Sequence, residues 1–245
     1  MRTAYHEELV TITDQLVEMT RLTASALNRA TQALMDADLE LAESVITADE
    51  KIDAVRRNLD NHAVDILARQ QPVATDLRIL VTSMRMSSDL ERMGDLARHV
   101  AKVARLRYPE PAIPVSLRAT FAEMAQLAEQ MVMKTGSIIN NNDVESASRL
   151  KEDDDRMDEL HREVFRSLFS QEWNGAMEAA VDATLLSRYY ERFGDHAVSV
   201  AHRVVYLVTG EWHDEVNLDE ALETRTAESA RHTAPIRTSG AHGQG

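Results

Sequence analysis

Apolar residues recur at alternating spacings of three and four through six stretches of this 245-residue chain, and the stretches form two sets that repeat one another. Met19, Ile52 and Val55 stand against Met124, Met157 and Leu160 at an offset of 105. Leu90, Met93, Ala97 and Val100 stand against Tyr190, Phe193, Ala197 and Val200 at an offset of 100, so the second copy is five residues shorter between its second and third stretches. Spacing of this kind puts a continuous apolar seam on one face of a long helix, the pattern that packs into left-handed bundles of nearly antiparallel helices. The expectation is therefore an all-α chain of two tandem three-helix bundles, six long antiparallel helices related by internal duplication.

The seams read as Leu9, Ile12, Leu16, Met19, Thr23, Ala26, Ala30 and Ala33, then Leu41, Val45, Ala48, Ile52, Val55, Leu59, His62 and Ile66, then Met86 to Ala104. Pro72 reads as a first-turn residue of the third helix, where its missing N–H costs nothing. Prolines 109, 111 and 114 mark a short stiff linker between the copies. In the second copy the seams run from Leu117 to Ile138, through Met157, Leu160 and Val164, and from Leu186 to Leu207, with Asn140 to Asp143 as a capped turn. This divides the chain into residues 1–108, residues 109–210 and a polar tail, 211–245, read as disordered.

Bulk properties narrow the function. A net charge of −14 opposes nucleic acid as the main partner and opposes direct docking on anionic lipid. The absence of cysteine rules out thiolate metal sites and disulfides. No apolar run approaches the ~18 residues of a membrane span, and the first residues lack a signal-peptide core, which together point to the cytoplasm.

The chemistry-bearing motifs lie on corresponding helices of the two copies. Glu91-Arg92-Met93-Gly94-Asp95 stands against Glu191-Arg192-Phe193-Gly194-Asp195, and Asp49 with Asp53 stands against Asp154 with Asp158. Acids four apart share a helix face, with Cβ atoms about 5–6 Å apart. Two such pairs on adjacent helices bring four like charges together, which is unfavourable unless a cation neutralises them. The expectation is one cation site from Asp49, Asp53, Glu91 and Asp95 and a symmetric one from Asp154, Asp158, Glu191 and Asp195. Glycine within a helix costs about 0.8–1 kcal/mol against alanine, so Gly94 and Gly194 point to close helix approach. Arg92 and Arg192 read as ion-pair partners of the acids, His99 as a surface histidine and His62 as a core one. Solvated helix faces are the plainer reading of any single acidic pair.

Arg69-Gln70-Gln71-Pro72-Val73-Ala74-Thr75-Asp76-Leu77-Arg78, followed by Leu90-Glu91-Arg92-Met93-Gly94-Asp95, resembles the PhoU family of phosphate-regulation proteins over about residues 5–210. The resemblance implies paired three-helix bundles that restrain the phosphate-starvation response without catalysing a reaction. It implies a metal-binding adaptor between the ATPase subunit of a phosphate ABC transporter and a sensor histidine kinase, cytoplasmic or held at the inner face of the membrane by those partners. It implies carboxylate-held metal (iron, zinc, manganese or magnesium) at the eight acids named above. A homodimer is also implied, although long seams can equally be satisfied within one chain. Two other readings compete. A ferritin-like di-metal oxidase would need Glu-x-x-His motifs, which the sequence lacks. A purely structural helical adaptor would leave the acids without a ligand.

Overall fold

Helix-favouring seams become six α-helices in the structure, a computed structural model that describes residues 2–212. They are α1 (Arg2–Asp36), α2 (Leu39–Gln70), α3 (Thr75–Arg107), α4 (Arg118–Asn141), α5 (Val144–Leu168) and α6 (Met177–Thr209), with a short 3-10 turn at Val115–Leu117 before α4. No strand occurs among the described residues. The reading of residues 211–245 as a disordered tail falls, from residue 213 onward, outside them.

Each turn has a local chemical cause. Asp38 caps α2 by accepting the Leu41 N–H at 2.9 Å, and Asp143 caps α5 by accepting the Ser146 N–H at 3.0 Å. The α4–α5 turn passes through Asn142 in the left-handed region at φ 51°. α6 stops at Gly210, whose φ of 82° suits glycine and whose N–H reaches Tyr206 O at 2.9 Å. Pro72 departs from expectation. It lies in the irregular segment between α2 and α3, because Gln71 and Ala74, both at positive φ, end one helix and delay the next until Thr75.

α1, α2 and α3 pack on one another, as do α4, α5 and α6, and the two bundles join through α1 against α4 and α3 against α6. Both cross-bundle pairs run antiparallel. Along α1 and α4, Asn28 bonds Glu129 at 2.9 Å while Arg118 reaches the carbonyl of Met35 at 3.2 Å. Along α3 and α6, Arg78 meets the carbonyl of Leu207 at 3.2 Å and Arg107 grips Asp182 in a two-point ion pair at the other end. Arg78 thereby places a cation on the carbonyl-rich end of α6, where the helix dipole favours it. The two halves are thus related by an approximate two-fold axis, with α1, α3, α4 and α6 inside and α2 and α5 outside.

The linker does more than join the copies. Ala112, Ile113 and Leu117 are all buried, so the proline-broken segment also plugs one end of the core. Tyr190 is wholly buried at the bundle junction and its hydroxyl lies 2.7 Å from that of Thr31, which removes the cost of an unpaired buried phenol. His62 is half-buried and off the α2 seam, which takes Ala63 instead.

The bundles approach closely at Gly136 on α4. A Cβ there would fall 2.6 Å from Oγ1 and 3.4 Å from Cβ of Thr20, a stiff, buried side chain on α1. Gly136→Ala should therefore lower stability by roughly 1–2 kcal/mol, the overpacking cost exceeding the gain in helix propensity. With Thr20→Ala as background the clash is gone, and the same change should stabilise by about 0.5–1 kcal/mol. Urea denaturation of the four proteins measures both; equal effects in the two backgrounds would show that Thr20 is not the obstacle.

Candidate functional site

In α2 the buried positions are Ala42, Val45, Asp49, Ile52, Leu59, Ala63 and Ile66, spaced as a regular seam with one gap at position 56. Periodicity assigns Ala48 to this seam; the structure puts Asp49 there, 6% exposed, and Arg56 fills the gap. A carboxylate and a guanidinium therefore occupy places where the pattern calls for apolar side chains. The same register in α5 runs through Ala147, Leu150, Met157 and Val164, with Asp154 and His161 at the positions matching Asp49 and Arg56. Each bundle carries a polar patch set into its outer-helix seam.

Glycine lets the patch form. A Cβ at Gly94 would lie 2.8 Å from Ile52 Cδ1 and 3.4 Å from Asp49 Oδ1, and one at Gly194 would lie 3.3 Å from Asp154 Oδ1. The bare helix backbone of α3 or α6 thus meets the acid of the neighbouring helix, as the paired glycines suggest. Glu91 with Asp95, and Glu191 with Asp195, stand beside these glycines on the same helices. All eight acids named from the sequence gather as two groups of four, each close enough for mutual repulsion. Asp155, unremarked by the repeat pattern, joins the second group.

The two groups differ in their cations. In the first, Arg98 bridges the helices, donating to Asp49 Oδ2 at 2.5 Å and to Asp95 Oδ1. Arg56 lies 3.5 Å from Glu91, and Arg92 pairs with Asp95 at 2.9 Å, as expected for Arg92. In the second, position 198 is a buried valine where the first has Arg98. His161 turns to Ser187 at 3.0 Å, and the cation on the rim is Arg188, paired with Glu191 and half exposed. Arg192 is exposed and close enough to Asp195 to favour its charge. His99 proves not to be a free surface histidine, since its ring packs against Tyr189 at 5.3 Å in the α3–α6 contact.

Burial followed by charge crowding governs protonation. Desolvation raises the Asp49 carboxyl, while Arg98 pulls it back down against Asp53, Asp95 and Glu91. Glu91 is likewise raised, first by burial and then by Asp95, with Arg56 and Arg92 opposing. Asp154 is pushed up to about 7, by burial first and then by Asp195, Asp158, Asp155 and Glu191. Glu191 and Asp195 are raised by burial as well. Glu191 is 8% exposed, and its Oε2 is buried without a hydrogen-bond partner, as is Oε2 of Glu91.

These donor sets are all oxygen, which fits hard or borderline cations. Among the described residues no group of three or more His, Cys, Asp or Glu side chains is placed to hold a metal ion as it stands. The second group nevertheless fits such an ion in chemistry, offering crowded carboxylates and an unpartnered buried oxygen.

For metal-free protein the sign of the pH effect follows. The folded Asp154 carboxyl, at about 7, keeps a proton that the unfolded chain, with an ordinary value of 3.8, releases. Its contribution to stability is therefore lost as pH rises from 3.8 to about 7. In chelator, Asp154→Asn should stabilise by roughly 1–2 kcal/mol at pH 8, a value discounted for solvent at the open side, and the gain should shrink towards pH 4. Urea midpoints at the two pH values measure it; a gain independent of pH would contradict the assignment.

Comparison with known proteins bears on the family and the fold. The PhoU domain profile matches residues 16–104 and 121–204. The phosphate-specific transport system accessory protein PhoU homolog 2 of Mycobacterium tuberculosis is 48% identical over 210 residues, 86% of this chain and 99% of that protein. PhoU homolog 1 of Mycobacterium leprae is 46% identical over 215 residues, 88% of this chain and 97% of that one. The crystal structure of PhoU from Pseudomonas aeruginosa superimposes with a TM-score of 0.74 at 30% identity, covering 84% of this chain and all of that one. With the profile matched once in each half, and relatives aligned along nearly their whole length, this chain belongs to the PhoU family.

Proposed function

We propose that this protein is an accessory regulator of phosphate transport, restraining the response to phosphate starvation as an adaptor between the ATPase subunit of a phosphate ABC transporter and a sensor histidine kinase. The observation that carries the reading is near full-length similarity, at 46–48% identity, to proteins described as phosphate-specific transport accessory proteins. In this reading the two repeats, 1–108 and 109–210, supply several long helix faces for such partners, and a homodimer belongs to the same reading.

The site adds a metal-dependent element. Asp154, Asp158, Glu191 and Asp195, with Asp49, Asp53, Glu91 and Asp95 as their counterparts, would hold a divalent or trivalent ion such as iron, zinc, manganese or magnesium. A bound cation supplies the positive charge that the crowded carboxylates lack, and so couples metal supply to bundle stability. The di-metal oxidase alternative lacks its Glu-x-x-His motifs, and nothing in the geometry favours it.

Location follows from the partners. No helix among the described residues is long and apolar enough to cross a membrane, and a net charge of −14 opposes anionic lipid. In this reading the protein is cytoplasmic and reaches the membrane's inner face through protein contacts. It should sediment with membranes when transporter and kinase are present and stay in the supernatant when both are deleted. Tight binding of pure protein to vesicles of anionic lipid alone, at physiological salt, would overturn this part of the reading. Added metal should stabilise chelator-stripped protein by mass action, by roughly 2–3 kcal/mol at a hundredfold excess over Kd, and so raise its melting temperature. A protein with all eight acids neutralised should show no such rise in a calorimetric scan.

A further inference from the structure

The two acidic sites arose from one repeat, yet only in the first does an arginine bridge the two helices that carry the acids. Arg98 is a partly buried guanidinium, 29% exposed, that spans α2 and α3 by binding Asp49 and Asp95 together. Its counterpart by sequence offset is Val198, 7% exposed, which brings no charge to the second site. A second substitution acts in the same direction. Arg56 lies 3.5 Å from Glu91, whereas its counterpart His161 is hydrogen-bonded to Ser187 instead of to an acid.

We propose that Arg98 is a built-in cation that keeps the first site closed to metal, so that divalent ions enter the second site, Asp154, Asp158, Glu191 and Asp195, in preference. The inference rests on the reading of these acids as metal ligands and assigns the two sites different roles. To occupy the first site, a divalent ion must displace a guanidinium held by two charge-assisted hydrogen bonds, and it is repelled by that guanidinium until it does. The cation of the second site, Arg188, pairs with Glu191 three residues along its own helix and does not tie α5 to α6. Oε2 of Glu191 is buried without a hydrogen-bond partner, as is Oε2 of Glu91, so each site leaves an acceptor for a cation and the arginines set the two apart. Arg188 on the rim is 51% exposed, so water weakens its hold and it can swing away.

The test is manganese binding to the full chain after chelator treatment, with Mn2+ alone as the probe and bound metal counted by atomic emission after gel filtration. Glu191→Gln with Asp195→Asn should remove nearly all metal bound at limiting Mn2+, and Glu91→Gln with Asp95→Asn should remove almost none. Arg98→Gln should raise bound Mn2+ about twofold by opening the first site, and Glu91→Gln with Asp95→Asn in that background should abolish the increase. Arg98→Lys, which keeps a cation in place, should bind as the unaltered protein does. If Arg98→Gln does not fold, as judged by circular dichroism, the lysine variant and the two acid double variants still decide the matter. Equal losses from the two double variants would overturn the inequality of the sites while leaving metal binding itself intact. Failure of every protein, unaltered included, to bind Mn2+ would overturn the metal reading and this inference with it.

Discussion

A carboxylate pressed against a bare stretch of helix backbone is the constraint around which each half of the molecule is arranged. Asp49 sits at a core position of α2 facing Gly94 of α3, where a side chain would strike Ile52, and Asp154 sits likewise beside Gly194. Had either glycine carried a side chain, the outer helix would stand further off and the apolar seam above and below would open. Apolar side chains in place of the acids would make the seam more stable, while the glycines would still be needed for the close approach of Ile52 to α3 and of Met131 to α6. Burial of the acids is therefore tolerated at a cost, and the environments show how the cost is met. Arg98 meets much of it in the first half. In the second, Asp154 retains its proton up to about pH 7.

The cross-bundle contacts give those sites a fixed setting. Asp89, two residues before Glu91, is held at 3.2 Å by His196 and at 2.8 Å by Arg203, both on α6, and these contacts bring its carboxyl below the ordinary range against the opposing effect of burial. His196 follows Asp195 directly. The α3–α6 contact thus runs from the edge of one acidic group to the edge of the other, with the His99 ring tilted against that of Tyr189 in the same contact. Side chains locked this way lose little additional entropy if a neighbouring carboxylate is later fixed by a ligand.

Most of the fold could be read from periodicity, because apolar seams over 24 to 35 residues overwhelm local ambiguity. The positions at which the reading slipped are informative. Ala48 and His62 were one residue from the true seam, which runs through Asp49 and Ala63, since hydrophobicity alone prefers alanine to aspartate at a core position. Pro72 looked like a helix opener, and only the positive φ of Gln71 and Ala74 shows why the helix begins later. The acidic groups were visible because they were repeated. Arg98 was not, since it lies outside the repeated motif and has no counterpart in the second half; only the helix-to-helix geometry joins it to Asp49. Ala112 and Ile113 were hidden for a different reason, as prolines around them signal a linker while burial makes them part of the core.

The approximate two-fold relation between the halves bears on how such a chain can arise. An isologous contact is one in which the same surface patch of two copies meets itself, and the antiparallel pairing of α1 with α4 and of α3 with α6 has that form within a single polypeptide. A lone three-helix unit would leave this face bare, exposing the surroundings of Thr20, Thr31 and Asp89 on one unit or of Gly136, Tyr190 and His196 on the other. Two separate units would have to meet by diffusion to cover it. Joined by the buried segment around Ile113, they meet at an effective concentration set by a short tether, and each is then free to diverge without losing its mate. A symmetric pair of identical units cannot place arginine in one copy and valine in the other at the same locus; a fused pair can, and at positions 98 and 198 this one has.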